Sequence, residues 1–208
     1  MRLATTLALV ALLAAASLQA QVGKNQNLVD PNLADRAALR ALPHVSDAVA
    51  DAIIAARPFT SAAALDRALA MSLEAAQRTE LYPRLFRQID LNHASRDEIM
   101  LIPGMTSRMA HEFEEYRPYT SLEQFRREIG KYVDAAEVAR FEQYVFVPLK
   151  LNSASAEAIM TIPGMTSRMV HEFEEYRPYT SMEQFRREIG KYVDAKEVAR
   201  LESYVTLE

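Results

Sequence analysis

The feature that most constrains the fold is a long internal repeat with a constant offset between its copies. The string IPGMTSRM occurs at 102–109 and again at 162–169. Between 91–148 and 151–208, 45 of 58 aligned positions are identical. A constant offset without a Gly- or Ser-rich spacer indicates structural units that are joined directly. We therefore expect a stiff array of stacked units rather than domains on flexible linkers.

A third, more diverged copy precedes these two at the same offset. Leu42-Pro43 aligns with Ile102-Pro103, and Arg57-Pro58 aligns with Arg117-Pro118. A unit of about 60 residues is marginally stable alone, so packing between neighbours is expected to matter. The predicted organisation is unit 1 (31–90), unit 2 (91–150) and unit 3 (151–208), after a polar, flexible lead-in at 21–30.

Residues 1–20 have the pattern of a secretory signal peptide. Arg2 supplies a short charged region, residues 3–17 are apolar, and Leu18-Gln19-Ala20 offers small-residue cleavage before Gln21. The apolar run is shorter than the roughly 18 to 20 residues that cross a bilayer comfortably. We expect residues 1–20 to be removed, leaving a periplasmic or secreted protein without a membrane span.

Composition limits how the mature protein is stabilised and what it binds. The sequence has no cysteine, so packing rather than disulfides must hold it together. The formal net charge is −4, and loss of Arg2 with the leader makes it −5. Residues 91–149 and 151–208 each hold seven Lys or Arg against ten Asp or Glu. A generally basic nucleic-acid-binding surface is therefore not expected.

The first half of unit 2 is predicted to form two short helices joined by a tight turn. Ser95 with Glu98 three residues later is typical of a capping box at a helix start. Pro103-Gly104 ends this helix, because proline interrupts the hydrogen-bond ladder and glycine permits positive φ. Thr106 or Ser107 then caps the second helix.

The second half of the unit repeats this arrangement. Arg117-Pro118 ends the second helix, since the residue before proline avoids the helical region. Thr120, with Glu123 in a second capping box, begins the third helix, Gly130 ends it, and Asp134 caps the fourth. Because no segment alternates with period two, we predict an all-α unit of two helix–tight turn–helix pairs.

These motifs resemble a known domain. The string L-N-x-A-S, then I-P-G-M, then Tyr-Arg followed by an aromatic residue and Ser, is similar to the helix-hairpin-helix domain of periplasmic competence DNA receptors (ComEA-like). The resemblance covers all three units and implies tandem helix-hairpin-helix (SAM-like, RuvA domain 2-like) repeats. Family hairpins carry Gly-hydrophobic-Gly. Units 2 and 3 lack the second glycine, and unit 1 has His44-Val45-Ser46 in place of the whole motif.

The resemblance implies that the protein binds duplex DNA through its phosphates. In such hairpins backbone N–H groups and the following helix N-terminus face a phosphate. Binding of this kind is independent of sequence and sensitive to salt. The implied DNA-backbone-binding residues are Pro103, Gly104, Met105, Thr106, Arg108, Gly130, Lys131, Pro163, Gly164, Met165, Thr166, Arg168, Gly190 and Lys191.

Cations near the hairpins permit two interpretations each. Arg108 lies in the first turn of its helix, where a cation opposes the helix dipole, which suggests either an anionic ligand or a tolerated surface arginine. Arg126, Arg127 and Lys131 form a basic cluster that either contacts DNA or is neutralised. Glu123 stands four residues before Arg127, in the orientation that favours an ion pair.

Binding of a protein partner is the alternative function. An extrinsic luminal subunit of photosystem II resembles this domain and binds protein rather than DNA. The acidic composition and the lost second glycines agree with such a role. Four tyrosines are either exposed anchors for a partner or part of the core: Tyr119, Tyr132, Tyr179 and Tyr192. A continuous basic strip along the hairpins would favour DNA, and an acidic or aromatic surface would favour protein.

An enzyme is not expected. His111 begins the sequence H-E-F-E-E, which is not the two-histidine zinc motif. His111 with Glu115 could bind a metal weakly or belong to a solvated helix face. The sequence shows no glycine-rich nucleotide loop. We expect no cofactor, no metal and no small-molecule substrate.

Overall fold

A computed structural model describes residues 21–24 and 27–207, so the predicted signal peptide lies outside the described residues. The described chain is mostly helical, in agreement with the predicted all-α class, and has four helices in each unit. The helices are α1 (Arg36–Arg40), α2 (Asp47–Ala55), α3 (Ala62–Ala70), α4 (Ala75–Leu81), α5 (Arg96–Met100), α6 (Ser107–Glu115), α7 (Leu122–Ile129), α8 (Ala135–Glu142), α9 (Ala156–Ile159), α10 (Ser167–Glu175), α11 (Met182–Ile189) and α12 (Ala195–Glu202). In this part of the chain no helix has the length and apolar character needed to cross a membrane.

Side-chain caps fix where the helices begin. Ser95 caps α5 in the predicted capping box, and Thr106 caps α6. The predicted start of α7 is corrected by one residue, because Ser121 and not Thr120 is its N-cap. The Ser121 Oγ accepts the Gln124 N–H at 3.1 Å, while the Thr120 N–H donates to the Gln124 side chain at 2.8 Å.

Four strands of two residues each close the units: β1 (Ile89–Asp90), β2 (Val145–Phe146), β3 (Leu149–Lys150) and β4 (Val205–Thr206). β1 pairs with β2 and β3 with β4, both in parallel, and unit 1 has an equivalent bridge between Val29 and Leu85. Each pairing joins the first residues of a unit to its last. The pairings therefore include residues that stand one or two positions before each predicted boundary. The strands were not predicted, because two residues are too few to show an alternating pattern.

The L-N-x-A-S and Tyr-Arg-Pro motifs bond to each other inside each unit. In unit 2 the Asn92 side chain donates to the Tyr119 carbonyl at 2.9 Å and accepts the Tyr119 N–H at 2.6 Å. The Arg117 guanidinium donates to the carbonyls of Leu91 and Ala94 at 2.6 and 2.7 Å. Equivalent bonds join Asn32, Arg57 and Phe59 in unit 1, and Asn152, Arg177 and Tyr179 in unit 3. These motif residues thus hold the fold together.

Aromatic residues stack where one unit meets the next. Phe86 at the end of unit 1 contacts Tyr144 of unit 2, with ring centroids 5.1 Å apart. Phe146 at the end of unit 2 contacts Tyr204 of unit 3 at 4.8 Å. Thr206 occupies the equivalent position at the end of unit 3.

Arg87 joins all three units. It lies between units 1 and 2, and only 1% of its surface is exposed. Its Nε donates to the Phe59 carbonyl at 3.1 Å, and its Nη2 donates to the Ser203 Oγ at 2.7 Å. Its guanidinium carbon lies 4.1 Å from the Tyr204 ring centroid and 5.3 Å from that of Phe146. Units 1 and 3 are therefore also in contact. The prediction included only the stacking of consecutive units.

Residues 21–23 of the predicted flexible lead-in pack against unit 2. Val22 is 4% exposed and bridges to Phe146 in antiparallel fashion. The Gly23 N–H donates to the Val145 carbonyl at 3.1 Å, and the Gln21 carbonyl accepts the Val147 N–H at 2.8 Å. The prediction considered only the polar composition of this segment. Burial of Val22 and these backbone hydrogen bonds stabilise its contact with unit 2.

Candidate nucleic-acid interface

The three hairpin corners share one backbone conformation. Gly104 and Gly164 have φ of 72° and 74°, which glycine adopts without steric cost. His44 stands at the same position of unit 1 and also has a positive φ, 63°. Its ring nitrogen lies 2.7 Å from a Glu80 carboxylate oxygen. The predicted turn at Pro103-Gly104 is thus confirmed, and the unit 1 corner keeps the turn without glycine.

The start of α6 presents open backbone donors at the Gly104 corner (residues 103–106). The N–H groups of Gly104, Ser107 and Arg108 have no acceptor among the described residues, and all three residues are exposed. Such groups at a helix N-terminus are available to an anion. Met105 differs from the prediction, because it is buried and its N–H donates to the Ile102 carbonyl at 3.0 Å. Met105 is therefore a core residue of this turn.

A groove of about 620 Å³ adjoins this corner, and we call it the Gly104 groove. Its lining includes Gly104, Tyr144, Arg84 and Arg140, and contains no carboxylate side chain. Arg84 is exposed and has no ion pair within the described residues. The Arg140 guanidinium bonds the Pro103 carbonyl and the Glu137 carboxylate. Sequence reasoning did not find Arg84, because only the packing of unit 1 on unit 2 places it here.

The Gly164 corner of unit 3 (residues 163–166) has different surroundings despite its identical sequence. A Cβ built on Gly164 would lie 3.0 Å from the Leu33 Cδ1, so unit 1 approaches this corner. Thr166 caps α10 as Thr106 caps α6, while Met165 is half-buried rather than fully buried. The two predicted corners therefore differ, because the Gly104 corner adjoins the arginine-lined groove while Leu33 of unit 1, together with Arg200, approaches the Gly164 corner.

The first-turn arginines of the two corners are both exposed. Arg108 has no ion pair or ring contact among the described residues. Arg168 lies over the Tyr192 ring, with 5.8 Å between its guanidinium carbon and the ring centroid. Arg108 is thus the freer of the two cations to contact an external anion.

The second hairpins do not present open amides, which corrects the predicted roles of Gly130 and Gly190. Both glycines have the right-handed helical backbone conformation, with φ of −62° and −63°, so neither position requires a positive φ. Their N–H groups donate to the carbonyls of Arg126 and Arg186, at 3.0 Å in both cases. Helical bonds thus continue through these residues and leave no amide there for a phosphate.

Carboxylates neutralise the predicted basic cluster. Arg126 makes a bidentate ion pair with Glu142 at 2.6 and 2.7 Å, and this pair raises the pKa of the Arg126 guanidinium. Arg127 and Lys131 both bond Glu128, and these hydrogen bonds lower the pKa of its carboxyl. The partner of Arg127 is thus Glu128 rather than the expected Glu123. Unit 3 repeats the arrangement with Arg186, Arg187, Glu188, Lys191 and Glu202.

The tyrosines predicted as possible anchors fall into two groups. Tyr119 and Tyr179 are 2% and 3% exposed, and this burial raises the pKa of both phenols. They belong to the core. Tyr132 is 37% exposed, and its hydroxyl lies 2.8 Å from that of Tyr116. The described surface thus offers few exposed aromatic anchors.

The His111 position shows a solvated ion pair. His111 Nε2 lies 3.8 Å from a Glu115 carboxylate oxygen, and both side chains are about 60% exposed. Within residues 21–24 and 27–207, no group of three or more His, Cys, Asp or Glu side chains could hold a metal ion. The neighbouring Glu114 pairs with Arg96 at 2.6 Å, so part of the negative charge on α6 is compensated.

Comparisons of the chain with protein-family models, curated proteins and solved structures gave no match. The resemblance to competence receptors therefore depends on the sequence motifs alone. The candidate binding site depends on the geometry of the Gly104 corner and its groove.

Proposed function

We propose that this protein is an exported, non-enzymatic helix-hairpin-helix protein that binds duplex DNA without sequence preference. The observation that carries the proposal is the Gly104 corner, where the N–H groups of Gly104, Ser107 and Arg108 are open. Among the described residues, Gly104 also lines a groove with two arginines and no carboxylate. Backbone donors and the helix dipole both favour an oxyanion at this place. A backbone phosphate of DNA has the required charge and acceptor oxygens.

Binding is expected to be weak and local. Arg84 and Arg108 are exposed cations near the corner that no carboxylate among the described residues neutralises. Neutralising about two phosphates makes the observed affinity fall with a logarithmic salt slope of about −2. The Gly164 corner contributes less, because Leu33 approaches it. Tight binding through two equivalent corners is therefore not expected.

Fluorescence anisotropy with a labelled random-sequence duplex tests this function. Raising NaCl from about 50 to about 200 mM should weaken binding about 12- to 16-fold, as a slope of about −2 requires. Arg84→Ala should weaken it further at the lower salt concentration. Arg67→Ala is the matched control. Arg67 is an exposed arginine of unit 1 that lies outside the Gly104 groove and has no ion pair within the described part of the chain. A protein that does not bind duplex DNA at the lower salt concentration would refute the proposal.

A protein partner is the second candidate function. The neutralised cations of the second hairpins favour it, because they leave no continuous basic strip for a DNA backbone. The same anisotropy experiment separates the two candidates, since a protein-binding module should show no salt-dependent affinity for random DNA.

A further inference from the structure

The accessible tyrosines of this protein are confined to two pairs. Five of the nine tyrosines are at most 6% exposed: Tyr82, Tyr119, Tyr144, Tyr179 and Tyr204. The remaining four are Tyr116 with Tyr132 in unit 2, and Tyr176 with Tyr192 in unit 3. Their hydroxyl oxygens lie 2.8 and 2.7 Å apart, respectively. Unit 1 has Ala56 and Ser72 at these positions, so the pairing belongs to the two similar units alone.

The rings of each pair meet at their hydroxyl ends. Ring centroids are 6.4 Å apart in both pairs, and the ring planes cross at 51° and 48°. Since the two ortho carbons flank each hydroxyl, they lie at the ends of the two rings that face each other. Tyr116 is the C-cap of α6, and Tyr132 lies in the turn between α7 and α8. The pair therefore bridges the two helix pairs of one unit.

A proton acceptor and a cation accompany each pair. Hydrogen bonds with Tyr116 and Glu112 raise the pKa of Tyr132, so its phenol is neutral at pH 7. Removal of an electron from a neutral phenol requires that its proton leave as well, and the Glu112 carboxylate is placed to receive it. The Lys131 Nζ lies 4.8 Å from the Tyr116 ring centroid and disfavours positive charge on that ring.

We propose that Tyr116–Tyr132 and Tyr176–Tyr192 are sites of oxidative cross-linking, at which a peroxidase and hydrogen peroxide form one dityrosine within each unit. The modification joins the end of α6 to the α7–α8 turn, and the end of α10 to the α11–α12 turn. It gives a chain without cysteine a covalent link inside each of these two units.

Formation of dityrosine is a two-electron oxidation of each pair. Each phenol loses one electron and its hydroxyl proton, and the two phenoxyl radicals combine through one ortho carbon of each ring. The ortho C–H bonds then break as both rings recover aromaticity, and the two phenol O–H groups are restored. The net loss is two electrons and two protons, which reduce one hydrogen peroxide to two waters.

Oxidation of the dilute, intact protein with peroxidase and hydrogen peroxide tests the proposal. Wild type should gain blue dityrosine fluorescence, lose two hydrogens per pair by mass spectrometry, and remain monomeric on a denaturing gel. Peptide mapping should join the peptide of Tyr116 to that of Tyr132, and the peptide of Tyr176 to that of Tyr192.

Phenylalanine variants provide the controls, because they keep the ring and remove only the hydroxyl. Tyr132→Phe should halve the dityrosine yield, and Tyr132→Phe with Tyr192→Phe should abolish it. Tyr116→Phe with Tyr176→Phe should also abolish the dityrosine yield, because it removes the other hydroxyl of each pair. Tyr144→Phe, at a buried position, should leave the yield unchanged. Persistent dityrosine in both double variants, cross-links only between molecules, or no dityrosine in wild type would overturn the proposal.

Discussion

Single polar side chains hold each unit closed, and Asn92 is the clearest case. Its amide satisfies both the N–H and the carbonyl of Tyr119, a residue that is 2% exposed. Buried backbone groups that lose their partners destabilise a fold more than the bonds themselves stabilise it. Asn92 is therefore needed for stability, which agrees with its place in a motif found in all three units.

Asn92→Ala should lower the free energy of unfolding by about 1 to 3 kcal/mol, since both Tyr119 groups are left unpaired. Urea denaturation followed by circular dichroism measures this. His93→Ala is the control, because the neighbouring side chain is 77% exposed and should change stability by less than about 0.5 kcal/mol. Equal effects of the two substitutions would contradict the role assigned to Asn92.

At the residue scale, the local backbone could be predicted from the sequence where a residue type has a single physical reason to stand at its position. Pro103-Gly104 predicted a turn, and the positive φ of Gly104 confirms it. Gly130 likewise follows a helix with an apolar face, but its backbone keeps the right-handed helical conformation. Sequence alone could not separate the two glycines, because the difference depends on whether the next residues continue the helical bonds.

At the scale of elements, residues 21–24 act as an added strand on unit 2. A Cβ on Gly23 would lie 1.8 Å from the Glu142 carbonyl oxygen, so only glycine allows this close approach. This contact could not be predicted from sequence, because 21–24 has a polar composition and pairs with a segment far along the chain, at Phe146.

Gly23→Val should release this strand from unit 2. Loss of its two backbone bonds, at about 0.5 to 1.5 kcal/mol each, should speed amide exchange at Val147 about tenfold. Hydrogen exchange monitored by NMR measures this rate. Lys24→Val, at an exposed neighbouring position, should leave it unchanged. Unaltered protection of Val147 in Gly23→Val would show that the strand does not depend on glycine.

At the scale of the whole molecule, Arg87 and the aromatic stacks make the three units one body. The constant repeat offset predicted directly joined units, and the stacking of Phe86 on Tyr144 and of Phe146 on Tyr204 agrees with it. The contact between units 1 and 3 was not predicted. Arginine is usually a surface residue. The burial of Arg87 depends on the packing of all three units, which the sequence does not show.

Arg87→Ala should lower the free energy of unfolding by about 2 to 5 kcal/mol, because it leaves a cavity and removes the bond to Ser203. Unit 3 should then unfold before units 1 and 2, which share one hydrophobic core. Calorimetry should show a single transition in wild type and a separate early transition in the variant. Arg84→Ala, three residues earlier and exposed, is the control. A single transition at an unchanged temperature in Arg87→Ala would refute this coupling.

The proposed DNA binding depends on the open Gly104 corner, and the repeated sequence allows a direct comparison. Arg108 and Arg168 occupy identical positions in units 2 and 3, but only the Gly104 corner adjoins the arginine-lined groove. The dissociation constant for a random DNA duplex at low salt should be measured for Arg108→Glu and Arg168→Glu. We expect about tenfold weaker binding for Arg108→Glu, equivalent to about 1.4 kcal/mol, and a much smaller change for Arg168→Glu. Equal weakening by both substitutions, or no effect of Arg108→Glu, would contradict the role assigned to this corner.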